Sequence, residues 1–254
     1  MEKEILLDAL RKDGLALRYA SKTLRNDRDV VLEAVRKDGL ALYYASGELQ
    51  NNKEIVLEAI KENSESLSHA SEELRNNKEV VLIAVKQNGY ALIFASEELK
   101  SDKEVVLAAV KQNGNALEDV SEELKNDKEI VLPAIKKNGH ALQYASDELK
   151  NDREIVLEAV KQDGEALEYA SEELKNDREI VLEAVKQNKF TFEYASKDAQ
   201  LDKEIIYLCK DYILRRKTMF KNAYQALIMF EREDALKSKL KDEDITTSRN
   251  KRKI

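Results

Sequence analysis

Two histidines, one cysteine, a serine that returns at a fixed interval and a dense population of carboxylates are the groups in this chain that could do chemistry. A metal site needs three or four converging donors. His69 and His140 fall at different positions of segments well apart in the chain, so they do not form such a set. Cys209 is the sole cysteine, which excludes an intrachain disulfide and a cysteine-based cluster. The serines run from Ser21 to Ser196, one per segment. A serine nucleophile needs a neighbouring base, and no histidine accompanies each copy. A hydroxyl that caps a backbone donor needs no such partner. The carboxylates also repeat, as Glu158 and Glu183 do, with lysines three residues on, as in Glu158 and Lys161. That is a solvated helix face, whereas an acid–base pair is local and singular. The expectation is therefore no catalytic residue, no metal, no cofactor and no enzymatic activity.

What positions these groups is a repeat. "NDKEIVLPAIKKNGHALQYASDELK" (126–150) is followed by "NDREIVLEAVKQDGEALEYASEELK" (151–175). Counted from Glu2, Asp27, Asn52, Asn77, Asp102, Asp127, Asp152 and Asp177, eight units of 25 residues follow one another without a gap. Positions 4 to 6 and 8 to 9 are apolar, as in Ile155, Val156, Leu157, Ala159 and Val160. At 100° per residue they cover roughly 200° of a helix, an arc suited to neighbours on both sides. Asn126, Asn151 and Asn176 are placed to N-cap this helix, with Glu129, Glu154 and Glu179 completing a capping box. Gly14, Gly39, Gly89, Gly114, Gly139 and Gly164 follow Asn or Asp and read as left-handed C-terminal stops. A short second helix is expected from about position 14 to 19, after which the repeated serine caps a final turn; one continuous helix to position 24 also fits the pattern. Pro133, the single proline, interrupts the first helix of repeat six and predicts a kink.

Helices this short cannot bury their apolar faces alone, but stacked copies can. The fold class is all-α: an α-solenoid of eight 25-residue two-helix repeats with a helical C-terminal cap. The array spans residues 1–208 and a capping helical segment residues 209–240; residues 241–254 read as a basic tail without structure. A continuous helix is expected from Ile205 to about Leu240, with Ile213, Phe220, Tyr224, Leu227 and Phe230 as its apolar stripe. The motif "LxxASxELKNDKEIVLxAVKQNGxAL" resembles the repeat of the domain-of-unknown-function family numbered 4116 over about residues 2–206. The resemblance implies an all-helical repeat array and carries no activity and no functional residues. Ser64 and Lys189 depart from it at the glycine position.

Function is sought where repeats differ. Positions 14 and 17 are polar in the C-terminal half, as in Asn115 with Glu118, His140 with Gln143, and Glu165 with Glu168. In the N-terminal half they turn apolar: Leu15, Leu40 with Tyr43, and Tyr90 with Ile93; Ile83 adds an apolar residue at position 7. These six residues are the candidate partner-binding surface, interrupted by Glu65 and Ser68 in repeat three. The expected partner is another protein or peptide, with no small-molecule substrate. The net charge is −7, yet residues 209–254 carry 13 Lys/Arg against 7 Asp/Glu. An acidic array repels phosphate backbones, so nucleic acid is not expected along it. The basic segment leaves a membrane or nucleic acid as the alternative partner, through the C-terminal helix only. With no signal-like or membrane-spanning run, the expected setting is a cytoplasmic, reducing compartment, export to a host cell being left open.

Overall fold

The structure is a computed structural model that describes residues 2–251, and the side chains of residues 2–239. It is helical, with no strand among the described residues, and forms two bodies, residues 1–162 and 163–254.

In the first body, seven α helices lie side by side in chain order. They are α1 (Glu2–Leu10), α2 (Arg28–Lys37), α3 (Lys53–Glu62), α4 (Lys78–Gln87), α5 (Lys103–Gln112), α6 (Lys128–Lys137) and α7 (Arg153–Gln162). Helices α2 to α7 are each capped by the residue at position 1, not by the residue before it. Asp27, Asp102 and Asp152 accept from the amides two and three residues on, and Asn52 and Asn77 from the third. The expected caps Asn126 and Asn151 therefore stand one residue too early. An aspartate caps as well as asparagine does, and extended backbone at position 1 (φ −82° at Asp102) decides between them.

The second helix is a 3₁₀ helix over positions 13 to 18, as in Gly39–Tyr44, Ser64–His69 and Gly89–Phe94. The Asn or Asp before it ends the α helix and starts the 3₁₀ helix at once. Asn88, for example, donates its amide to Ala84 O (2.9 Å) and accepts from the Tyr90 amide on Oδ1 (3.0 Å). In the first body each of these 3₁₀ helices packs on the α helix of its own repeat and on that of the next. Two layers result, α and 3₁₀, with Val80, Val81, Ala84, Val85, Ala91 and Leu92 of repeat four fully buried between them. A last turn opened by the repeated serine leads into the next repeat.

The glycines are not left-handed. No described residue has positive φ. Their role is close approach: a Cβ on Gly14 would stand 2.5 Å from the carbonyl oxygen of Ala34 in the next repeat, and Gly39, Gly89 and Gly114 face Ala59, Ala109 and Ala134 in the same way. The repeat is thus held at backbone contact distance from its neighbour. Pro133 sits inside α6 without shortening it; α6 has the ten residues of α2 to α5. What changes is the first turn. Ile130 donates to the Asp127 carbonyl (3.0 Å), whereas the equivalent Val105 donates to the Asp102 carboxylate (3.1 Å).

The second body holds α8 (Arg178–Gln187), the 3₁₀ helices Gly164–Tyr169 and Lys189–Glu193, and then α9 (Lys203–Leu208), α10 (Lys210–Arg215) and α11 (Lys221–Lys251). The expected single helix from Ile205 is broken twice, at Cys209 and over residues 216–220. The breaks let α11 fold back on α9 and α10, where Lys203 pairs with Asp234 (2.7 Å) and Lys210 with Glu231 (2.6 Å). Cys209, Ile213, Phe220 and Leu227 are buried in this cap, while Tyr224 and Phe230 stay half-buried. Helix α11 runs on to Lys251 where a tail without structure was expected; polar composition does not separate a solvated helix from coil. Residues 252–254 lie outside the described residues.

Candidate functional site

The repeated polar groups resolve into junction chemistry. The basic residue at position 2 reaches the acids at positions 1 and 3 of the next repeat: Lys3 to Asp27 (2.6 Å), Lys53 to Glu79 (2.6 Å), Lys78 to Asp102 (2.8 Å) and Glu104 (2.9 Å). The hydrogen bond from Lys3, helped by the Val30 and Asp29 amides, holds the Asp27 carboxyl below the usual carboxylate range, and Lys103 does the same for Asp127. Where the junction is complete, the repeated serine does two things. Ser146 Oγ accepts from the Leu149 amide (3.2 Å) and donates to Oδ1 of Asn126 in the preceding repeat (2.6 Å). Asn126 in turn donates to Glu148 (2.9 Å). The Asn read as a helix cap is therefore a latch between repeats, and position 25 is a functional position of the scaffold that spacing alone did not show.

One junction lacks the latch. Repeat four ends in Ser101 instead of Asn, and Ser101 Oγ turns back to the Glu97 carbonyl (3.2 Å). Ser121 Oγ is then buried without a partner and caps nothing. Leu124 is half-exposed where Leu49, Leu74, Leu99 and Leu149 are buried. Val120, in place of the usual Ala at position 19, adds bulk at the same turn.

The groups singled out for chemistry do not converge. No cluster able to hold a metal occurs among the described residues. Cys209 is buried in the cap, and burial pushes its thiol up to about 11, far from a reactive thiolate. His69 is half-buried with its pKa lowered by burial, which keeps the ring neutral near pH 7.

The candidate binding residues divide. Tyr43, Tyr90 and Ile93 project from the 3₁₀ layer, 60%, 47% and 37% exposed, with Leu42, Ala91 and Leu92 buried behind them. Tyr43 meets Tyr44 and His69 edge-on, both at 5.0 Å between ring centroids, and Tyr90 meets Phe94 at 6.1 Å. Ring edges thus carry the aromatic surface from repeat two into repeat three. Leu15 and Leu40 are half-buried rather than exposed, although Tyr90 at the same position of repeat four projects. Ile83 is exposed but belongs to α4, whose buried residues face the 3₁₀ layer, so it points from the opposite side of the slab and does not join the patch. In repeat five the same surface turns acidic, with Glu118 exposed and Asp119 at the aromatic position. Burial raises the Asp119 pKa, opposed by Lys100 and Lys125.

Two layers of short helices, repeated along the chain and latched by asparagines and basic residues, define a helical repeat protein. The family model described as Domain of unknown function (DUF4116) matches residues 2–50, 52–100, 77–125, 102–150 and 152–198, and the chain belongs to that family. Each match spans two repeats, and those over 52–100 and 77–125 overlap by one, so a repeat can stand first or second in the pair. No curated protein and no solved structure matches the chain.

Proposed function

We propose that this protein is a non-catalytic interaction scaffold that holds another protein or peptide against the 3₁₀ layer of repeats two to four. The observation that carries the proposal is the exposure of Tyr43, Tyr90 and Ile93 at positions where repeats five and six have Glu118, His140 and Gln143. The fold does not need apolar side chains there. Large apolar groups already held on a packed helix lose little entropy on docking, which makes them anchors. The acidic residues beyond them, Glu118 and Asp119, favour a partner whose apolar anchor is followed by basic residues.

The test is capture with the full chain as bait, run beside Tyr90→Glu/Ile93→Gln. The variant carries the residue types found at those positions in other repeats, so its melting temperature should hold while the captured protein is lost. A variant that melts like the wild type and still captures the same protein removes the proposal. The alternative, a membrane or nucleic acid taken by the C-terminal helix, draws less support. Asp234, Glu231 and Glu193 neutralise Lys203, Lys210 and Arg216 there, and no helix among the described residues is long and apolar enough to cross a membrane.

A further inference from the structure

Helix α11 has two apolar sides. One, with Ala223 and Leu227 buried, lies on the cap and is fastened by Lys203 and by the Tyr207 hydroxyl, both on Asp234 (2.7 and 2.8 Å). The other is uncovered. Tyr224, Ile228, Met229 and Leu236 line an open groove of about 730 Å³, and Met229 and Leu236 are 49% and 60% exposed. Arg232 and Glu233 sit in the middle of the same groove. Residues 225, 229, 232 and 236 follow the four–three–four spacing of a helix-pairing seam.

We propose that this side of α11 pairs antiparallel with α11 of a second copy of the chain. The seam is self-complementary in that direction. A two-fold axis between residues 232 and 233 sets Met229 opposite Leu236 of the second copy and Arg232 opposite its Glu233, and the symmetry makes each contact twice. Parallel pairing in register would oppose arginine to arginine and glutamate to glutamate. The length of the helix argues the same way. Its last polar anchor to the cap among the described side chains is Asp234, and it continues to Lys251, roughly 25 Å further at 1.5 Å per residue. A helical stretch of that length is marginal in water without packing, and with this axis a second α11, which begins at Lys221, lies beside it as far as residue 244. A membrane surface suits this side less, because an interfacial helix carries cations on its polar flank, whereas here Glu233 stands beside Arg232 in the middle of the groove.

Sedimentation velocity of the full chain over a wide concentration range tests the pairing. The wild type should reach twice the chain mass. Met229→Glu/Leu236→Glu, both at exposed positions, should sediment as a monomer with an unchanged helical signal and melting temperature. Arg232→Glu should weaken the dimer about tenfold, since two exposed ion pairs become repulsions, and Arg232→Glu/Glu233→Arg should restore it. A wild type that is monomeric throughout overturns the proposal, as does a dimer that survives the Met229 and Leu236 changes or one that the charge exchange fails to restore. Phosphatidylserine vesicles added to the same samples separate the other occupant: a monomer that floats with vesicles, and ceases to in Met229→Glu/Leu236→Glu, overturns the pairing and assigns the groove to lipid.

Discussion

Replacing Ser101 with asparagine should repair the one junction that lacks its latch. At the junction between repeats five and six, Ser146 donates to Asn126 and Asn126 to Glu148, at 2.6 and 2.9 Å. At the junction between repeats four and five, Ser121 Oγ is buried and unpaired, and its amide reaches the Lys100 carbonyl at 3.2 Å. An unsatisfied buried hydroxyl costs about 1–3 kcal/mol, and the Glu123 bond gained with it is exposed and adds little. Ser101→Asn should therefore stabilise the chain by about 1–2 kcal/mol, which for a chain of this size raises the melting temperature by about 2–4 °C per kcal/mol. The assay is thermal melting followed by circular dichroism, with Ser101→Ala beside it. Ser101 makes only a bond back to its own turn, so the alanine variant should melt like the wild type. The converse change, Asn126→Ser, should cost what Ser101→Asn gains. If Ser101→Asn is neutral while Val120→Ala stabilises, the bulk of Val120 and not the missing amide displaces the turn, and the latch argument fails. An equal gain from Ser101→Ala would refute it too.

Three further outcomes follow from the same junctions. Gly114→Ala drives a Cβ into the Ala134 carbonyl and should cost about 1–3 kcal/mol by urea titration, while Gly47→Ala, with nothing within 4 Å, should be neutral or stabilising by about 0.4–1 kcal/mol. Pro133→Glu restores the amide that α6 lacks and should stabilise by about 1–3 kcal/mol, with Ile130 shifting from the Asp127 carbonyl to its carboxylate in a crystal structure. Asp27 and Asp127 have folded pKa values lowered by the lysine that each accepts from, so their contribution is present above the unfolded carboxylate pKa and is lost as pH falls through the folded one. Stability measured against pH should therefore drop below about pH 4, and Lys103→Met, which removes the partner of Asp127, should flatten that drop.

The helix positions could be read from the sequence because they follow from a period: apolar residues at 4, 5, 8 and 9 admit one helical phase, and the structure buries those residues in Ile155, Val156, Ala159 and Val160. The family and the all-helical fold came from the same repetition. What the sequence did not reveal depends on the neighbouring repeat. Glycine after asparagine has the local meaning of a left-handed stop, whereas the actual constraint on Gly114 is the carbonyl of Ala134, twenty residues on. Asn126 was read as a cap because it precedes a helix; its partners, Ser146 and Glu148, become visible only once the repeats stack. In the tail, the stripe through Phe220 and Leu227 was found, but the breaks at Cys209 and over residues 216–220 were not. No glycine or proline marks them, and only packing against α9 requires the turn. The candidate binding residues divide between the two layers for the same reason. The phase of Tyr90 and Ile93 followed from the spacing, but Ile83 sits on the other layer, a separation that no single-helix pattern contains.

The most direct measurement of the scaffold proposal is hydroxyl-radical footprinting of the full chain alone and with the protein it captures. Side chains that dock lose reactivity, while equivalent side chains elsewhere in the repeat serve as internal controls. Protection is expected at Tyr43, Tyr90 and Ile93, with Tyr144 and Tyr169, which hold the next position of later repeats, unchanged. Protection confined to α11, or spread evenly over the tyrosines, would contradict the assignment of binding to the 3₁₀ layer of repeats two to four.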